Sequence, residues 1–229
     1  MSNFIFIPVG GLANRMKAVA SSFILAQQNQ IKTNVIWFQD WALHAPFNTV
    51  FEPIHSPNIC IKEASLIDHI IYDRPRAKNL YIPRLFQYFI FRSCLYEKTI
   101  QDLKKQNFNF NNWIQKGHVY MASYLDFQEI STDILRQLFI PLPPIQARID
   151  HLSQQFSPYT LGVHVRRTDN AASIELSPIE LFFTAIDKEI DSYADASIYL
   201  ATDDESVKLE FQKRYGKRLI YAKDKADRS

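Results

Sequence analysis

The chain has 229 residues, of which 47% are hydrophobic and 22% are charged, proportions that are ordinary for a globular protein. The formal net charge of +2 gives no overall electrostatic reason to expect nucleic acid or an anionic membrane as a partner. The longest apolar stretch, 81–96, is interrupted by Arg84 and Arg92. We therefore predict a buried amphipathic helix there and no integral membrane segment.

The N-terminal segment has the pattern of a strand, a helix and a second strand. NFIFIPV at 3–9 is rich in strand-forming residues and ends at Gly10 and Gly11, and apolar residues recur at helical spacing through 13–30. NVIWF at 34–38 follows as the next strand. This unit favours a parallel sheet with right-handed crossovers.

The compartment is predicted from two features of the sequence. The apolar N-terminus lacks the basic region of a signal peptide. Cys60 and Cys94 are the only cysteines and have no motif spacing, so we expect reduced thiols. The prediction is a cytoplasmic protein.

A second and clearer unit of the same kind lies in the C-terminal part. Strands are predicted at 160–166, 197–202 and 218–222, with helices beginning at the S-x-x-E sequence of 177–180 and at 205. The proline-rich stretch 140–149 predicts the joint between a domain of residues 1–145 and one of residues 146–229. We predict an α/β fold with two Rossmann-like halves, strand 160–166 inside its sheet, and ligands at the carboxyl ends of the strands.

GVHVRRTDN, at 162–170, places charged residues where a buried strand ends. Alternation along a strand puts His164 and Arg166 on one face and Arg167 on the other. Arginine binds phosphate through two parallel hydrogen bonds, so Arg166 is a candidate phosphate ligand. Asp169 would orient a guanidinium or cap the turn. The alternative is a surface Arg–Asp pair of little energetic consequence.

Three stretches together resemble the fucosyltransferases of the core α1,6 and rhizobial chitin-oligosaccharide group: HVRRTD at 164–169, VGGLANRMKAVAS at 9–21 and YLATDDESVKLEF at 199–211. The resemblance implies a GT-B glycosyltransferase fold that binds GDP-fucose mainly with its C-terminal half. It also implies that Arg166 holds the pyrophosphate and that His164 lies near the nucleoside. Arg167 would be structural or a second phosphate contact.

The resemblance further assigns Asp203 or Asp204 to the guanine base, whose N1–H and N2–H2 edge suits carboxylate oxygens. The alternative is an N-cap on the helix at 205–215, and we expect one of the two to do only that. The family's third, serine-rich motif has no counterpart in the sequence, so the second half is expected to be incomplete.

In the glycine loop, Gly10 and Gly11 would let the backbone approach a ligand closely. Asn14 and Arg15 would project from the first helical turn into the cleft between the halves. The alternative is a glycine turn with both side chains solvated.

The catalytic base is open at this point. Asp40, at the carboxyl end of the second strand, and Glu175, after the arginines, are candidates; a turn role and a surface role are the alternatives. The Lys and Glu that the human-type core enzymes carry in the loop after the arginines have no counterparts around Asn170, Ser173 and Ile174.

The predicted function is that of an inverting fucosyltransferase that uses GDP-fucose and a glycan hydroxyl. No cofactor is expected, and no metal, because Arg166 would stabilise the charge of the departing GDP. The alternatives are a non-catalytic module that binds a GDP-sugar or a glycan, and a GT-B transferase for another nucleotide sugar.

Overall fold

The computed structural model describes residues 3–167 and 175–222. The chain forms two compact units, Met1–Leu142 and Pro143–Ser229. The division falls within the proline-rich stretch 140–149 in which the joint was predicted. The acceptor and donor roles assigned to the two halves stay predictions.

The first unit contains a five-stranded parallel sheet with the strand order β3-β2-β1-β5-β4. Its elements are β1 (Phe4–Pro8), α1 (Leu12–Gln28), β2 (Thr33–Trp37), β3 (Ile59–Glu63), α2 (Leu66–Ile71), α3 (Ile82–Ile90), β4 (Ser93–Leu95), α4 (Glu97–Lys105), α5 (Phe110–Ile114), β5 (Val119–Ser123) and α6 (Thr132–Leu138).

The central strand β1 is buried on both faces of this sheet. Phe4 and Phe6 belong to one buried cluster together with Phe23 of α1, whereas Ile5 and Ile7 belong to a second cluster. Successive side chains of a strand point to opposite faces, and a parallel sheet is normally covered on both. This is why β1 is a continuous apolar run in the sequence.

The second unit contains a parallel sheet with the order β6-β7-β8 among the residues that the structure describes. Its elements are α7 (Pro143–Ser153), β6 (Thr160–Val165), α8 (Ile179–Ser192), β7 (Ser197–Thr202), α9 (Glu205–Tyr215) and β8 (Leu219–Tyr221). Val165, Ile198 and Phe211 lie in one buried cluster between sheet and helices. The predicted α/β fold with two Rossmann-like halves is confirmed.

Two local predictions about the second unit are wrong. β6 lies at the edge of the described sheet and not inside it, so its other side has no strand neighbour within 3–167 and 175–222. The helix α8 begins after Pro178 without a side-chain cap, although the sequence favoured capping by Ser177. The carbonyl of Ser177 accepts a hydrogen bond from Arg167 instead.

The prediction of a buried helix at 81–96 is also wrong. The helix α3 covers only Ile82–Ile90, most of its apolar side chains are exposed, and the strand β4 follows it. Within the described residues, no helix has the length and apolar character needed to span a membrane.

We expect Phe211→Ala to lower the free energy of unfolding by about 3–5 kcal/mol, because this fully buried ring would leave a cavity. Leu209→Ala, on the same helix α9 but 71% exposed, is the matched control and should change it by less than about 0.5 kcal/mol. Urea denaturation followed by far-UV circular dichroism measures both. Equal effects would contradict the core position of Phe211.

Candidate functional site

The loop after β1 is shaped by Gly10, whose φ of +88° lies in the left-handed region that favours glycine. A Cβ atom at Gly10 would lie 3.3 Å from Nδ2 of Asn14, a tight contact that would require Asn14 to shift. Gly11 precedes α1 without a side-chain cap, and Asn14 is exposed on the first turn. The backbone N–H groups at the start of α1 are therefore not capped by the residue before the helix.

Arg15 is fully buried, which contradicts the prediction that it projects into a cleft. Its Nε donates to the carbonyl oxygen of Gly10 at 2.7 Å, and its Nη1 donates to the carbonyl oxygen of Phe38. Its Nη2 donates to Oδ1 of Asp40 at 2.9 Å, and the guanidinium lies 5.0 Å from the ring centroid of Trp37. Arg15 therefore ties the loop after β1 to the loop after β2.

The partners of Arg15 stabilise its positive charge, although the side chain is buried. Burial lowers the pKa of the Arg15 guanidinium below its ordinary value, and the charge of Asp40 opposes this shift. Guanidinium groups keep their proton in proteins, so the interaction is an ion pair that is largely withdrawn from water. Such pairs are costly to break, because removal of one partner leaves the other charge uncompensated.

Asp40 lies just beyond the carboxyl end of β2, as predicted, but its carboxylate oxygens accept hydrogen bonds that stabilise its own loop. Oδ1 also accepts from the backbone N–H groups of Ala42 at 3.0 Å and Leu43 at 3.3 Å. Oδ2 lies 3.8 Å from Nη2 of Arg74, which in turn donates to Glu97 through Nη1 at 2.6 Å. These contacts favour the turn role of Asp40 over proton transfer.

Arg74, Glu97 and Glu63 were not identified from the sequence. Glu63, at the end of β3, accepts from the N–H of Phe47 through Oε1 at 2.7 Å. Its buried Oε2 has no hydrogen-bond partner among the residues that the structure describes. The charge of Glu63 also acts on Arg15. No pattern in the sequence pointed to these residues, because their partners come from distant loops.

In the second unit, the strands β6 and β7 end side by side, with Val165 level with Thr202. Carboxyl ends of parallel strands meet at one edge, so the residues after β6 and β7 are neighbours. The backbone N–H of Arg167 donates to Oδ1 of Asp203 at 2.8 Å, and this hydrogen bond joins the two motifs directly. His164 and Arg166 are both exposed.

The side chain of Arg167 has the contacts of a structural residue. Its Nη2 donates to the carbonyl oxygen of Ser177 at 2.7 Å, and its guanidinium lies 6.0 Å from the ring centroid of Phe182. The structural alternative for Arg167 therefore agrees with its contacts.

Asp204 is the N-cap of α9, as the alternative for one of the two aspartates predicted. Its Oδ1 accepts from the backbone N–H and from the hydroxyl of Ser206, both at 2.7 Å. These hydrogen bonds lower the pKa of Asp204, and the N-terminus of a helix favours negative charge. The assignment of Asp203 to the base stays a prediction.

A groove of about 240 Å³ lies between the open side of β6 and the helix α8. Gly162 and His164 of the strand line it, together with Phe182 and Glu189 of the helix. The absence of a side chain at Gly162 leaves room there, and no atom lies within 4 Å of a Cβ built on it. The groove therefore includes His164, two residues before Arg166.

Asp169 lies outside the described residues, and Glu175 is exposed, so its role as a base stays a prediction. Among the described residues, no group of three or more His, Cys, Asp or Glu side chains is placed to hold a metal ion.

No protein-family model matches the sequence, and no curated protein sequence matches it. The fold is similar to solved fucosyltransferases. The fucosyltransferase NodZ from Bradyrhizobium has a TM-score of 0.63 and 15% identity over 97% of this chain and 78% of that one. The NodZ alpha-1,6-fucosyltransferase soaked with GDP-fucose has the same TM-score and 17% identity, over 98% of this chain and 78% of that one.

A more distant similarity extends to a second fucosyltransferase. POFUT1 in complex with GDP-fucose has a TM-score of 0.52 and 10% identity, over 98% of this chain and 85% of that chain. At these identities the similarity concerns the fold. The chain therefore has a fucosyltransferase-like fold.

We expect Arg15→Lys to lower the free energy of unfolding by about 3–5 kcal/mol, because one ammonium cannot replace the guanidinium contacts with two carbonyls and a carboxylate. Arg136→Lys is the control, since Arg136 is 78% exposed in a surface pair with Asp133 and should change stability by less than about 0.5 kcal/mol. Urea denaturation measures both. Wild-type stability of Arg15→Lys would show that the buried network is dispensable.

Proposed function

We propose that this chain is a glycosyltransferase that transfers fucose from GDP-fucose to a glycan hydroxyl with inversion. The observation that carries the proposal is the hydrogen bond from Arg167 N–H to Asp203 Oδ1, which joins the two motifs at the carboxyl edge of a parallel sheet. The fold is similar to that of proteins solved with GDP-fucose. Open α/β sheets bind ligands at this edge.

Arg166 is the residue that we assign to the pyrophosphate. It follows β6 directly and is exposed at the edge where open α/β sheets bind ligands. In the proposed reaction, the bond between C1 of fucose and the GDP oxygen breaks while the acceptor oxygen bonds to C1 from the opposite face. The negative charge that collects on GDP is stabilised by Arg166, so no metal ion is required.

Asp203 is the residue that we assign to guanine. Its Oδ1 accepts from the backbone N–H of Arg167 at the carboxyl edge of the sheet, and a carboxylate there suits the N1–H and N2–H2 donors of guanine. His164, in the groove beside β6, would lie near the nucleoside. Asp204 supports this edge as the cap of α9.

In the first unit, Gly10, Gly11 and Asn14 remain the candidates for ligand contact. Arg15 is fully buried and cannot contact a ligand itself. It supports these residues indirectly, because it donates a hydrogen bond to the carbonyl oxygen of Gly10. The residue that removes the proton from the acceptor hydroxyl is not assigned, because the oxygens of Asp40 are engaged in its loop and Glu175 has only its sequence position in its favour.

Isothermal titration with GDP, GDP-fucose, GDP-mannose and UDP tests the proposal. We expect GDP and GDP-fucose to bind, UDP to fail, and fucose to be transferred to a glycan acceptor. Binding of GDP without transfer would indicate a non-catalytic module. Preference for GDP-mannose or UDP would indicate a transferase for another nucleotide sugar.

Arg166→Ala and Arg166→Lys should both weaken GDP binding, by about 1.5–3 kcal/mol, because an ammonium cannot form two parallel hydrogen bonds to phosphate. Arg167→Ala is the matched control: it should lower the melting temperature more than the affinity for GDP, since its side chain contacts Ser177 and Phe182. GDP titration and melting curves of the three variants measure both effects. Unchanged affinity in Arg166→Ala would remove the phosphate role.

Substitution of Asp203 and substitution of Asp204 should have different effects in the same assays. Asp204→Ala removes an N-cap and should lower stability by about 1 kcal/mol while GDP affinity is retained. Asp203→Ala should weaken GDP binding and reduce the preference for guanine over uracil nucleotides, because an alanine offers no acceptor to the base. If Asp203→Ala keeps full discrimination between GDP and UDP, another residue binds the base.

A further inference from the structure

The helix α3 is packed into the first unit by a polar side chain. Gln87 is fully buried, and its Nε2 donates to the carbonyl oxygens of Ile71 at 3.1 Å and Asp73 at 3.0 Å. Its Oε1 accepts from the hydroxyl of Tyr96 at 2.8 Å. The side of α3 that faces the protein is therefore fixed by hydrogen bonds, and its apolar side chains are left on the outside.

The neighbouring helix α2 is arranged in the same way. Its buried residue is Asp68, which accepts from Nζ of Lys62 at 2.8 Å and from the N–H of Ser65 at 2.8 Å. The apolar side chains of α2 point outward. This is the reverse of an ordinary surface helix, which buries its apolar side and exposes its polar one.

The two helices contact each other and together present what we call the apolar face. It is formed chiefly by Leu66, Ile67 and Ile70 of α2 and by Leu85, Tyr88 and Phe89 of α3, which are between 51% and 86% exposed. Single exposed apolar residues are normal on a protein surface, but a group of this size marks an interaction site.

Hydrogen bonds hold the turn between α2 and α3, beside the apolar face. Asp73 lies between α2 and α3 in the sequence, and its side chain is buried. Its Oδ2 accepts from Arg76 at 3.0 Å and from Asn79 at 3.2 Å. Asn79 also donates to the carbonyl oxygen of Arg74 and accepts from the N–H of Arg76. The turn that joins α2 to α3 is thus fixed, and the apolar side chains are held outward by the native structure.

The exposed charges within the segment that forms the face have one sign. Between residues 64 and 96 the only acidic side chains are Asp68 and Asp73, and both are buried. The exposed charges of this segment are the cations Lys78, Arg84 and Arg92. The face therefore combines apolar and aromatic side chains with a positive border, although the net charge of the chain is only +2.

We propose that the apolar face docks this protein on the surface of a membrane that contains anionic lipids. An interfacial helix lies along the membrane with its apolar side in the acyl region and its cations at the headgroups. The helix α3, about 14 Å long, is too short to span a bilayer and long enough to lie along one. Tyrosine side chains such as Tyr88 suit the boundary between headgroups and water.

The charge pattern favours a lipid surface over a second copy of this chain. A two-fold contact places the same surface patch of both copies together, so it would bring the cations of one copy near those of the other. Like charges opposed across an interface are unfavourable, and the segment offers no exposed carboxylate to compensate them. An anionic membrane supplies the missing opposite charge. The proposal does not depend on nucleotide binding.

Vesicle flotation tests the proposal, with vesicles of phosphatidylcholine alone and of phosphatidylcholine mixed with phosphatidylglycerol. We expect the wild-type chain to float with the mixed vesicles and to dissociate as salt is added. Leu85→Ser combined with Phe89→Ser should weaken binding roughly ten-fold or more, since two large apolar side chains no longer enter the membrane. Arg84→Glu should weaken it at least about five-fold.

The matched control is Leu209→Ser, which removes an equally exposed apolar side chain from α9 in the second unit and should bind vesicles like the wild type. Melting curves establish that each variant is folded, and light scattering measures oligomeric state. No binding to mixed vesicles would overturn the proposal. So would a dimer that is lost in the Leu85→Ser, Phe89→Ser variant without any vesicle binding, because the face would then serve self-association.

Discussion

A parallel sheet brings the carboxyl ends of strands that are distant in the sequence to one edge, and both units of this chain are organised by that constraint. In the first unit it delivers the glycine loop after β1 and the loop after β2 to the same place, where Arg15 joins them. In the second it delivers the ends of β6 and β7, where Arg167 meets Asp203. Polar and charged residues that could act on a ligand lie at these two edges.

The arginines at the two edges differ in burial and in contacts, although they share one type of side chain. Arg15 is buried and fully used by carbonyls, a carboxylate and an indole ring, so it acts on the shape of the loop. Arg167 is partly buried and connects the end of β6 to the start of α8. Arg166 is exposed at the same edge. Recognition of an anion is the role proposed for it, since a guanidinium can bind phosphate at two points.

The helices α2 and α3 show that a helix need not bury its apolar side. Hydrophobic periodicity tells which residues share a face but not which way the face points. Here the buried hydrogen bonds of Gln87 and Asp68 fix the orientation, because unpaired polar groups would be costly inside the protein. The sequence 81–96 predicted a helix, and the direction of its apolar side chains was decided by the buried hydrogen bonds of Gln87.

The sequence by itself determined the strands β1, β2, β6, β7 and β8 and the helix α9 with its acidic cap, because strand runs and capping residues act over a few neighbouring positions. It also located the motifs HVRRTD and LATDD at strand ends. Only the tertiary structure decided that Arg15 is buried, that Asp40 is held between Arg15 and Arg74, and that β6 lies at the edge of the described sheet. Those outcomes depend on partners far away in the chain, and local periodicity carries no information about which distant groups will meet.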